Sequence, residues 1–211
     1  MATKRQVVSD FRRSEILRAA RGVFARKGFV RGIIDEIAKE AGVAKGTVYL
    51  YFHSKREIYR AVLHCDMESL NRTTLENVDA ETGLQKKIRA FVVTRIEKSE
   101  VNRDFFKIMD SDSGSLAFTR SQYHNYLRGP VEHMKAAIEV AVRNGEVRPV
   151  NVNRTAWAIT DLTRGTIQRR LSSTESTPVD EDVDFIVNFV WATLQLGTGV
   201  ASANRSVDAG S

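Results

Sequence analysis

The chain has 211 residues, 42% hydrophobic and 27% charged, which is ordinary globular composition and excludes a disordered chain. No apolar run approaches the ~18 residues that cross a bilayer, and the opening MATKRQVVSDFRRSE has no apolar signal core, so a cytoplasmic location without membrane or secretion is expected. The net charge of +6 is unevenly placed: residues 1–60 hold fourteen Lys or Arg against six acids, a balance of +8, leaving −2 for the other 151. Such a division fits a module for a polyanion joined to one with another task, although a merely solvated basic surface has the same charge. The single cysteine, Cys65, excludes an intrachain disulfide, and only Pro130, Pro149 and Pro178 can interrupt helices.

Helical periodicity dominates and no segment alternates like a strand. In the first element Ile16, Leu17, Ala20, Val23 and Phe24 share a stripe, and Lys27-Gly28 is expected to close it. A short helix follows with Ile33, Ile34, Ile37, Ala38 and Ala41 on its apolar side, ending at Gly42. After Gly42-Val43-Ala44, Val48 and Phe52 are four apart and should face inward on a third helix, from about Lys45 to Phe52. Ser54 and Glu57 fit a capping box that opens a longer helix carrying Ile58, Val62, Leu63, Met67 and Leu70. Further helices are expected over Thr82–Lys98, Leu116–Arg143, Asn153–Leu171 and Val179–Leu196, with Asp110–Ser115 as a loop and Gly129-Pro130 bending or splitting the second of these. The expected fold is all-α: three short helices, then a bundle of about six longer ones. We expect a helix-turn-helix domain with a basic N-terminal arm over 1–54, a helical effector-binding and dimerisation domain over 55–196, and a flexible tail over 197–211.

Two short helices about a tight glycine-containing turn, within IDEIAKEAGVAKGTVYLYFHSK, form a helix-turn-helix whose second helix can enter a major groove. With Val48 and Phe52 inward, Lys45, Thr47, Tyr49, Leu50 and Tyr51 lie partly or wholly outward. Exposed tyrosines and leucine make sense against DNA, where a phenol bonds phosphate and an apolar side chain meets a thymine methyl. The start of this helix, at Lys45 and Gly46, also offers backbone N–H groups to phosphate. Arg12 and Arg13, after Lys4 and Arg5, are placed to reach a minor groove as a basic arm.

These residues resemble the TetR family of bacterial transcriptional regulators. The resemblance runs through Phe24-Ala25-Arg26-Lys27-Gly28-Phe29, Ile37-Ala38, Ala41-Gly42-Val43, Lys45-Gly46-Thr47-Val48-Tyr49-Leu50-Tyr51-Phe52 and Ser54-Lys55, about a quarter of the chain, and in outline through Asn144-Gly145-Glu146-Val147-Arg148-Pro149. It implies that Lys45, Thr47 and Leu50 approach bases or nearby phosphates, that Tyr49 and Tyr51 hold the phosphate backbone, and that Lys55 adds a phosphate contact. Two positions depart from the pattern: Gly32-Ile33 stands where the family usually has threonine, and Ala44 where it usually has serine. A lost hydroxyl cap costs about 0.5–2 kcal/mol.

For the remainder, the resemblance implies a variable effector pocket and a homodimer built on the last two helices. Phe91, Phe106, Met109, Tyr123, Tyr126 and Trp157 suit a lipophilic ligand, and Arg95, on the stripe of Phe91 and Val92, needs an anionic partner from ligand or protein. The stripe Val183, Ile186, Val187, Val190, Trp191 and Leu194, with Ile167 and the mixed face of Ala156, Trp157, Thr160 and Thr163, is the expected dimer interface. No metal, cofactor or catalytic role is expected: His64 and Cys65 point about 100° apart on a helix, and Asp110-Ser-Asp112-Ser-Gly114 misplaces the glycine of a calcium loop. No Walker A loop or dinucleotide fingerprint occurs. The expected protein is therefore a homodimeric repressor released from operator DNA by a small lipophilic or anionic effector. The alternative is a helical interaction module without sequence-specific DNA binding.

Overall fold

Eight α-helices and no strand occur among the described residues, which in this computed structural model are 3–103, 106, 120–173 and 177–195. In chain order they are α1 (Lys4–Arg31), α2 (Ile34–Glu40), α3 (Lys45–Tyr51), α4 (Lys55–Asp79), α5 (Leu84–Val101), α6 (Arg120–Arg143), α7 (Val152–Ser172) and α8 (Val179–Gln195). The expected loop at Asp110–Ser115 and the expected tail beyond 196 lie outside the described residues. Helix α1 differs from expectation at both ends. It starts at Lys4, where the Thr3 hydroxyl accepts the Gln6 N–H at 3.3 Å, so the expected arm is the helix's own first turns. Gly28 at φ +71 kinks α1, and a further stretch carries on to Arg31.

α5 is the axis of the bundle and packs against α4, α6, α7 and α8. Ile88, Phe91, Val92 and Ile96 are all buried on it, so its apolar surface is wide enough to take neighbours on several sides. The α6–α7 connection ties three helices together. Gly145 turns the chain at φ +70, and Glu146 Oε1 accepts the Leu84 N–H at 2.7 Å, capping α5. Val147 is buried, and Arg148 closes the end of α8 by donating to the carbonyls of Leu194 at 3.2 Å and Thr193 at 2.9 Å. At the other end of α5, buried Arg170 on α7 donates to Glu100 at 2.9 Å and Asp182 at 2.7 Å.

Pro130 does not split α6, which is assigned as one helix through it. Proline has no N–H, so the carbonyl four residues back, at Tyr126, lacks its helical donor. Asn71 on α4 supplies one: its Nδ2 donates to that carbonyl at 2.8 Å. The same amide's Oδ1 accepts Arg95 Nη1 at 3.1 Å. A kink that proline invites is thus offset by a side chain from the neighbouring helix.

Candidate nucleic-acid interface

Val48 and Phe52, 0% and 1% exposed, set the rotation of α3 about its axis. Their burial turns a ridge outward that carries Lys45, Gly46, Tyr49 and Leu50, with Leu50 81% and Tyr49 44% exposed. Thr47 flanks the ridge and is partly covered. An exposed leucine at the tip of a two-turn helix contributes nothing to the fold, so its apolar surface is free for a partner. A Cβ at Gly46 would meet nothing within 4 Å, which leaves the backbone there open to approach.

The turn before α3 depends on Gly42, at φ +65, and on the Val43 N–H donating to the Ala38 carbonyl at 3.0 Å. Ala44 caps α3 without a side-chain acceptor, as its replacement of serine predicts. Ile33 likewise caps α2 without one, and it is 49% exposed instead of joining the apolar side. Asp35 and Glu36 in the first turn of α2 complement its dipole. Asp35 also accepts the Lys45 ammonium at 2.8 Å, and that hydrogen bond lifts the lysine above its ordinary pKa. Both groups are well exposed, where solvent screening leaves such a pair weak.

Residues 16–62 match the family model described as bacterial regulatory proteins, tetR family. YfiR of Bacillus subtilis, an uncharacterized HTH-type transcriptional regulator, is 41% identical over 59 residues, which span 28% of this chain and 29% of that protein. TtgW of Pseudomonas putida, also an uncharacterized HTH-type regulator, is 30% identical over 111 residues, covering 52% of this chain and 80% of TtgW. The chain belongs to the TetR family. Its fold is also that of the transcriptional regulator FadR from Bacillus subtilis, solved in complex with stearoyl-CoA: TM-score 0.72, 18% identity, 84% of this chain and 96% of that one.

As a TetR-family member the protein is a DNA-binding transcriptional regulator, and the structure sorts the residues that the resemblance had marked. Lys45, Gly46, Tyr49 and Leu50 share the open ridge. Tyr51 is half-buried and packs against the core. Lys55 opens α4, as expected, and its Nζ donates to the carbonyls of Val30 and Gly32, both at 3.1 Å, and lies 4.6 Å from the centre of the Phe29 ring. Arg13 sits over the Phe52 ring at 5.1 Å, at the end of α3.

The expected dimer residues lie largely inside the protomer. Ile167, Val187, Val190 and Leu194 are buried within one protomer, and Trp191 is half-buried against the same core. Thr160 and Thr163 point inward too, their hydroxyls satisfied by the carbonyls of Ala156 at 3.0 Å and Ile159 at 2.8 Å. The unpartnered apolar face of α8 is instead Phe185 and Phe189, 67% and 53% exposed, with rings stacked 6.2 Å apart. Their spacing of four was visible in the sequence as a second stripe beside the stronger one.

The described residues of the expected pocket set stand at several points of the bundle. Phe91 is buried core, and Phe106 borders a space of about 150 Å³ lined also by Arg21, Asp66, Ser69 and Asn102. Arg95 is 5% exposed and lies over the Phe91 ring at 5.4 Å while donating to Asn71. Tyr126 meets His64, hydroxyl to Nδ1 at 2.6 Å, and Trp157 stacks on His124 at 4.4 Å. Met109 and the Tyr123 side chain lie outside the described residues. Asn71, which joins Arg95 to α6, gave no signal in the sequence.

Proposed function

We propose that this TetR-family regulator is a homodimeric repressor whose α3 ridge reads operator DNA. Leu50 and Tyr49 contact bases and backbone, Thr47 flanks them, and Lys45 with the Gly46 backbone holds phosphate; Tyr51 supports the ridge from behind. The exposure of Leu50 on a helix whose opposite face is locked into the core is the observation that carries this reading. Pairing of two α8 faces through Phe185 and Phe189 supplies the dimer, and two-fold symmetry sets the recognition helices about 34–36 Å apart, one turn of DNA.

The effector in this reading is a lipophilic anion bound in the bundle, and a long-chain acyl thioester is the class to try first. Support comes from the FadR structure of the same fold, which holds stearoyl-CoA. Effector binding favours a head spacing that no longer fits the operator, and by linkage operator binding weakens effector affinity by the same factor. Selection of bound sequences from a random DNA pool tests the repressor dimer: a palindrome with half-sites one turn apart is expected, and its release by stearoyl-CoA identifies the effector class. Enrichment of a site without two-fold symmetry contradicts the homodimer.

A further inference from the structure

We infer that Asp35 sets the discrimination of the α3 ridge: its carboxylate penalises contact with most duplexes and accepts a base-edge amine at the matched one. The inference rests on the DNA-binding reading above and deepens it. Ile37 and Ala38 are buried, so the opposite side of α2 turns outward with Asp35, Glu36, Lys39 and Glu40. Residues 16–60 hold four acids, and three of them are committed away from the ridge. Glu36 and Glu40, one turn apart on α2, pair with Lys27 and Arg26 of α1. Glu57 accepts the His53 N–H at 2.6 Å, one residue before Ser54, whose Oγ accepts the Glu57 N–H at 3.1 Å. Asp35 alone among the four meets the reading helix. Its Oδ1 lies 2.8 Å from Nζ of Lys45, the first residue of α3, and the two side chains are 60% and 54% exposed.

A carboxylate at that place weakens DNA binding unless the DNA offers it a donor. B-DNA carries one negative charge per ~1.7 Å of its axis. When α3 approaches any duplex, Asp35 enters that field beside the ridge of Lys45, Tyr49 and Leu50. An unmatched sequence leaves two arrangements, both unfavourable. If Lys45 stays on Asp35, the pair is neutral and the lysine gives nothing to phosphate. If Lys45 turns to phosphate, Asp35 is left without its cation among like charges. A matched sequence removes the conflict, because a carboxylate accepts from an exocyclic amine in the major groove, cytosine N4 being the usual partner of an acid. Lys45 is then free for phosphate. Sequences are told apart by this repulsion at the wrong sites as well as by attraction at the right one. A lysine without such a neighbour would hold any duplex equally.

The test uses the full chain with Asp35→Asn and with Asp35→Ala. Glu40→Gln is the control, removing the same charge from the side of α2 that faces α1. Anisotropy over a salt series compares a duplex that wild type enriches from a random pool with a scrambled duplex of equal length. Both Asp35 variants are expected to bind the scrambled duplex at least ~5-fold more tightly, with a salt slope steeper by roughly 0.9 per protomer as Lys45 becomes available. The ratio between the two duplexes falls at least ~5-fold, and selection repeated with Asp35→Ala loses a cytosine preference at one position of each half-site. Glu40→Gln shifts both duplexes equally and leaves the ratio unchanged. Three results overturn the inference and leave the ridge reading in place: scrambled-duplex affinity and slope at wild-type values, equal tightening on both duplexes, or a ratio that Glu40→Gln lowers as far. Weaker binding of the Asp35 variants to both duplexes marks a structural residue and also overturns it. If wild type enriches no site, the ridge reading falls, and the inference with it.

Discussion

Asn71 bonds a carbonyl that Pro130 has deprived of its helical donor, and a double-mutant cycle isolates that relationship. Asn71→Ala removes one neutral hydrogen bond, to Tyr126, worth about 1 kcal/mol, and one from buried Arg95, worth about 1.5–3 kcal/mol as a bond to a charged group. The single change is therefore expected to cost about 2.5–4 kcal/mol. Pro130→Ala restores an N–H at the right place for the Tyr126 carbonyl, so the helix then closes the bond itself. In that background Asn71→Ala should cost about 1 kcal/mol less, because only the Arg95 contact remains to be lost. Urea unfolding at one fixed protomer concentration measures all four corners, since a dimer's stability depends on concentration. Equal costs in the two backgrounds, within about 0.3 kcal/mol, would show that Asn71 does not compensate for the proline.

Three further outcomes are expected. Phe185→Ser with Phe189→Ser raises the dimer dissociation constant at least ~100-fold in sedimentation velocity and leaves the fold intact, whereas Val187→Ser, at a position 4% exposed, unfolds the protomer; dissociation without unfolding by Val187→Ser would return the interface to the inner stripe. Asp66 is pushed above its ordinary pKa by burial, which outweighs the neighbouring Arg21. Its charged form therefore costs stability at neutral pH, a cost recovered as pH falls through the raised value. Asp66→Asn should melt higher than wild type at pH 7 and alike near pH 4; a lower melting point at pH 7 would mean that the Arg21 attraction dominates. Glu146→Ala, which uncaps Leu84, should cost about 1 kcal/mol in urea unfolding, with Glu146→Gln retaining most of it because an acceptor remains.

The helix-turn-helix was legible because its signals are local. Val48 and Phe52 at a spacing of four dictate the rotation of α3, and Gly42 dictates the turn. Capping chemistry was legible for the same reason, as at Ser54 with Glu57, although the one-residue shift to His53 was not. What was not legible was anything decided by a second element. An apolar stripe at 183–194 says that α8 buries one face, not whether its own core or a second protomer covers it, and the core took it. The reach of Lys55 to the 30–32 carbonyls was not legible, because it depends on where α1 ends, beyond a kink that periodicity does not show. Pro130 was read from its missing donor alone, without the neighbouring Asn71 that replaces it. The aromatic pocket set rested on residue type, and type does not separate a core residue such as Phe91 from a lining one such as Phe106.

Fluorescence anisotropy with DNA upstream of the protein's own gene, set against a scrambled duplex of equal length, tests the central claim that the α3 ridge reads sequence. Wild type should bind the upstream DNA at least ~10³-fold more tightly than the scrambled duplex at one salt concentration. Leu50→Ala should lose most of that ratio while keeping the same affinity for scrambled DNA, because it removes a base contact and no charge. Equal affinity for both duplexes, or a ratio that Leu50→Ala leaves untouched, would contradict the account.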